Sequence, residues 1–94
     1  MAIRSYADKA TRKFHINGVC PAKWRAFAKV AMRKLDMIKG AEVLAHLAVL
    51  PGNRLELLQG DRKGQHSIRI NQQFRVCFRW TDLGAEDVEI VDYH

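Results

Sequence analysis

The chain has 94 residues, enough for one domain (residues 1–94) with a modest core and no separate substrate domain. Hydrophobic residues make up 48%, which excludes a disordered tail. Sixteen Lys and Arg against ten Asp and Glu leave a net charge of +6, an excess that favours polyanionic partners. Cys20 and Cys77 form no recognisable disulfide framework, and two thiols without a secretory signal suggest a reducing compartment. Met1 to Tyr6 holds no apolar run of signal length, and no stretch nears the ~20 apolar residues of a membrane span. The expected setting is therefore the cytoplasm.

Ile3 to Tyr6 reads as a short first strand. Asp8 to His15 reads as a short basic helix with Lys9, Arg12 and Lys13, broken by Asn17-Gly18. Pro21 suits the first position of the next helix, where a missing amide proton costs nothing. From Trp24, the apolar positions Phe27, Ala28, Ala31, Leu35 and Ile38 recur at three and four residues, with Lys23, Arg25, Lys29, Arg33 and Lys34 between them. This predicts an amphipathic helix of about five turns ending near Gly40. Ala41 to Leu47 predicts another short helix, and Pro51-Gly52-Asn53 a turn.

The second half changes period. Leu55 and Leu57 flank Glu56, and Gly60 to Gly64 forms a polar turn. Ile68 and Ile70 alternate with Ser67 and Arg69, and Asn71-Gln72-Gln73 connects a hairpin. Phe74, Val76, Phe78 and Trp80 alternate with Arg75, Cys77 and Arg79, the clearest period of two in the chain. After a turn around Gly84, Val88 to His94 predicts a last strand. Helices followed by a meander indicate an α+β domain, with N-terminal helices packed on a twisted antiparallel sheet of about four strands. With the apolar residues turned to the core, Arg69, Arg75 and Arg79 line the open face.

His15, His46, His66, His94, Cys20 and Cys77 show no CxxC, HxxxH or HExxH spacing, so no metal is expected. The turn from Gly60 lacks the ending of a phosphate loop, and no GxSxG accompanies a serine nucleophile, so no cofactor is expected. The tail Asp92-Tyr93-His94 places an acid, a phenol and an imidazole together. In extended geometry only Asp92 and His94 share a face, turned toward the core side or its rim; otherwise the end twists. Trp24 and Trp80 read as packing residues, His66 as a strand surface residue, and the helix cations as solvated faces.

The runs Pro51 to Glu56, Gly60 to Ile70, Phe74 to Trp80 and Val88 to His94 resemble the plasmid-maintenance killer proteins, the HigB branch of the RelE/ParE toxin superfamily. The helical half matches in layout. The resemblance implies a RelE-like fold and a toxin that enters the ribosomal A site and cleaves mRNA there. It also implies a HigA-type antitoxin with a helix-turn-helix. It assigns the active site to Arg75, Asp92, Tyr93 and His94. Where some relatives use a histidine and a lysine before the GDR turn, this chain has Glu56 and Gln59.

Metal-independent cleavage needs a base for the 2′-hydroxyl, an acid for the leaving 5′-oxygen and positive charge at the phosphate. Arg75 suits the phosphate. Asp92 or Glu56 suits the base, unless Asp92 orients His94. His94 or Tyr93 suits the acid, and Tyr93 alternatively stacks on a base. Arg54, Arg62, Lys63, Arg69 and Arg79 are expected to hold RNA backbone. The competing expectations are a ParE-like gyrase inhibitor of the same fold and a non-enzymatic RNA- or ribosome-binding module.

Overall fold

Asp8 starts the first helix by standing outside it. Its backbone is extended (φ −141°, ψ 163°), and its carboxylate accepts from the Thr11 amide at 2.7 Å. That satisfies one of the amides the first turn of α1 (Lys9–Asn17) leaves open. Gly18, at φ 73°, closes the helix. Its amide donates to the Phe14 carbonyl and the Val19 amide reaches back to Lys13. The computed structural model, which describes residues 2–92, then departs from the expected five-turn helix. Pro21 leads into a 3-10 segment, Ala22–Phe27, and only afterwards does α2 (Ala28–Gly40) begin. A three-residue repeat eclipses positions three apart. It lets Trp24 and Phe27 both turn inward, Trp24 edge-on to Phe14 at 5.6 Å and Phe27 against Phe74 at 4.5 Å.

Helix α2 buries Ala31, Leu35 and Ile38 completely, as their spacing predicts. Lys34 departs from expectation. It is 7% exposed, with its ammonium donating to Asn53 Oδ1 at 2.6 Å. The next helix, α3 (Ala45–Ala48), is shorter than the predicted 41–47, and Pro51–Asn53 forms a single 3-10 turn. Tyr6 OH bonds His15 Nδ1 at 2.7 Å, and His15 Nε2 bonds Asp36 at 2.8 Å, so α1, α2 and the segment after the first strand are pinned together.

The sheet has five strands: β1 (Ala2–Ile3), β2 (Glu56–Leu57), β3 (His66–Arg69), β4 (Phe74–Thr81) and β5 (Gly84–Asp92), in the order β1-β5-β4-β3-β2. The last four form the expected antiparallel meander. The first strand, expected over Ile3–Tyr6, is Ala2–Ile3, and it joins the edge of the sheet parallel to β5. Ile68, Val76 and Ile90 lie side by side, and with Phe78 and Val88 they face α2 across the main core. Thr11 is buried, and its hydroxyl accepts from the Ile90 amide, fixing α1 to β5.

The other face is less open than the alternation suggests. Ser67 and Cys77 are fully buried there, and Leu58 is 3% exposed. The connection after β2 folds over this face. Arg62, in the 3-10 turn Gly60–Arg62, reaches Glu89 of β5 at 3.2 Å, and Glu89 pairs with Cys77. Burial pushes the Cys77 thiol up, above its usual range. On the helix side, His66 is half-buried rather than a surface residue. Its ring stacks on Phe78, and its enclosed Nδ1 finds no partner among the described residues. Burial accordingly lowers the His66 pKa.

Candidate functional site

Arg69 of β3 and Arg75 of β4 are direct cross-strand partners. Their side chains leave the sheet on the same side, where like charges opposite one another oppose pairing. A third cation, Arg54, joins them. Together with Asn71 and Gln72 these arginines line an open cleft of about 260 Å³. The hairpin connection that forms one wall is held by its own side chain. Asn71 Oδ1 accepts from the Gln73 and Phe74 amides at 2.8 and 2.7 Å, and the Asn71 carbonyl accepts from Arg69 Nε at 3.1 Å.

Arg75 is the most tightly held of the three. Its Nε donates to Ser67 Oγ at 2.7 Å and its Nη2 to the Arg54 carbonyl at 2.7 Å. Only 12% of its side chain is exposed. The Arg54 carbonyl points there because Arg54 adopts a left-handed backbone, φ 45° and ψ 54°, an uncommon state for a residue with a Cβ. Glu56 Oε1 lies 3.6 Å from Arg75 Nη2, on a side chain that is half exposed. One carboxylate at that distance stands against three guanidinium groups. A preorganised array of this kind suits an anion with several oxygens, and the guanidinium fork matches phosphate.

The remaining sequence candidates are placed elsewhere. Arg62 is engaged by Glu89 and by Gln65 at 3.1 Å, bracing the segment over Cys77. Lys63 and Arg79 are exposed near the turn that ends at Gly64. Gly64 has φ 89°, a backbone that favours glycine, and a Cβ there would meet only the movable end of the Arg79 side chain, at 2.8 Å. Asp92 pairs with Phe74, whereas Arg75 pairs with Val91, so the Asp92 side chain leaves the sheet on the helix side. There its Oδ2 accepts from Gln73 Nε2 at 3.0 Å. Tyr93 and His94 lie outside the described residues. Among the described residues no group of three or more His, Cys, Asp and Glu is placed to share a metal ion.

Three features of the cleft are missing from the sequence reading. Ser67 shares strand parity with Arg69, so alternation alone could have pointed to it. Asn71 and Gln72 read only as a connection. The left-handed backbone at Arg54 has no local signature in the sequence.

The RelE-like toxin family of the HigB type II toxin–antitoxin system matches residues 4–94. The chain is 46% identical over 50 residues to Toxin HigB-1 of Vibrio cholerae serotype O1, covering 53% of each protein. It is 42% identical over 52 residues to an uncharacterised protein of Haemophilus influenzae, covering 55% of this chain and 52% of that one. The chain thus spans about half the length of the curated relatives it matches. The family match covers both the helical layer and the strands that build the arginine cleft, and on that basis the chain belongs to the HigB family of RelE-like toxins of type II toxin–antitoxin systems.

Proposed function

We propose that this protein is a ribosome-dependent endoribonuclease. It cleaves mRNA in the A site by attack of the ribose 2′-hydroxyl on the adjacent phosphate, without a metal, in the cytoplasm, and a HigA-type antitoxin restrains it. The observation that carries the reading is the cleft built by Arg54, Arg69 and Arg75 on one face of the sheet. Arg75 Nε and Nη2 are already committed to Ser67 and Arg54, so the guanidinium is fixed before substrate arrives. A donor that need not reorganise stabilises the charge gathering on phosphate oxygens more than a mobile one does. Arg54 and Arg69 take the flanking backbone. Glu56, the carboxylate beside Arg75, takes the 2′-proton. The family resemblance adds Asp92, Tyr93 and His94: His94 or Tyr93 protonates the leaving 5′-oxygen, and Asp92 orients His94.

Charge distribution supports docking on a large RNA. Residues 1–40 contain ten of the sixteen Lys and Arg and only two of the ten Asp and Glu. Lys9, Arg12, Lys13, Lys29 and Arg33 are all exposed, and none is in an ion pair among the described residues. Most of the positive excess therefore lies on the helical layer rather than in the cleft, which suits a grip on phosphate backbone separate from the cutting pocket.

The test is to add purified protein to a translating extract and map new 5′ ends on the message, with and without ribosomes. New ends inside the translated frame, and only with ribosomes, are expected. An intact message in both samples, with DNA supercoiling blocked instead, would replace this reading with the gyrase-inhibitor one.

A further inference from the structure

A lysine in the core is expensive, and an apolar side chain of similar shape would cost less. Lys34 is nevertheless buried in α2, and both its burial and the neighbouring Arg33 charge push its pKa down. Its Nζ donates to Oδ1 of Asn53, itself fully buried, at 2.6 Å. Asn53 Nδ2 donates in turn to the Leu47 carbonyl at 3.1 Å. The Asn53 amide closes onto Leu50 at 2.9 Å and the Arg54 amide onto Pro51 at 3.3 Å. The Pro51–Asn53 turn is thus bolted to α2 and α3 at once. The next residue is Arg54, whose left-handed backbone delivers its carbonyl to Arg75.

We propose that Lys34 and Asn53 are positioning residues for the cleavage reaction: their buried hydrogen bond locks the Pro51–Asn53 turn, which holds the Arg54 carbonyl against the Arg75 guanidinium. Neither residue touches the cleft. They act through one backbone carbonyl, and the strained backbone of Arg54 persists because the turn before it is fixed on both sides. This inference rests on the proposed role of Arg75 and adds what aims it.

A double-mutant cycle with Arg75→Lys tests it. Lysine keeps the charge but lacks the fork that spans Ser67 Oγ and the Arg54 carbonyl. Lys34→Met and Asn53→Ala are each expected to lower the single-turnover cleavage rate about tenfold at saturating ribosomes, as small misplacements of a catalytic group do. Ribosome affinity should not change. In the Arg75→Lys background the same substitutions should cost less than about twofold, because the contact they aim is already gone. Equal losses in both backgrounds, or a loss confined to ribosome affinity, would overturn the proposal. Urea unfolding of each variant accompanies the cycle. Lys34→Met, which keeps the packing of the stem, carries the test if Asn53→Ala does not fold. Should Arg75→Lys by itself leave cleavage unchanged, it is the assignment of Arg75 that falls.

Discussion

Replacing Arg75 with alanine is expected to lower the rate of message cleavage by about 10²–10³-fold, the usual loss when one preorganised donor to a developing oxyanion is removed. Ribosome association should be retained, since most of the exposed cations lie on the helical layer. The side chain is 12% exposed and two of its three nitrogens are spent on Ser67 and Arg54. It is therefore placed rather than merely positive. Arg75→Lys should fall between wild type and alanine, because an ammonium cannot reproduce two directed bonds and still face a phosphate. Quenched single-turnover assays on programmed ribosomes give the rate, and co-sedimentation gives the binding. A parallel loss of both would mean that Arg75 is a docking cation and that the chemistry lies elsewhere.

Reversing Lys9, Arg12, Lys13, Lys29 and Arg33 to glutamate should give the opposite pattern. Ribosome affinity is expected to drop about 10²-fold or more, and the slope of affinity against salt should flatten by roughly one unit for each phosphate no longer neutralised. The cleavage rate at saturating ribosomes should stay near that of wild type, because Arg54, Arg69 and Arg75 lie on the far side of the sheet from these helices. Unchanged affinity and salt slope would show that the helical cations are ordinary solvated surface. Loss of antitoxin binding alone would assign them to that partner instead.

How far the sequence can be read depends on whether a residue's role is local. The alternation in Ser67–Ile70 and in Phe74–Trp80 puts Arg69 and Arg75 on one face because strand parity is a backbone property. The Asp8 and Gly18 ends of α1 are readable for the same reason. What escapes is set by distant contacts. Lys34 shares the helical stripe of Ala31 and Ile38, but its charge reads as solvent-facing without the buried partner that the Pro51–Asn53 turn supplies. Cys77 and Ser67 have the parity of an open face, yet the segment carrying Leu58 and Arg62 covers them. The change from the 3-10 segment Ala22–Phe27 to α2 accompanies the packing of Trp24 on Phe14 and Phe27 on Phe74, contacts between distant residues that periodicity alone does not reveal. Parity also anticipates that Asp92 turns toward the helix side, while Tyr93 and His94 lie outside the described residues.

The chemistry of the cut ends speaks most directly to whether three guanidinium groups and a nearby base drive an internal attack. Message cleaved on the ribosome by this protein should carry a 5′-hydroxyl on the downstream piece and a 2′,3′-cyclic phosphate, or its 3′-phosphate product, on the upstream piece. A 5′-phosphate facing a 3′-hydroxyl would mean that water, not the neighbouring ribose, attacks the phosphate, and would contradict the mechanism assigned to the cleft.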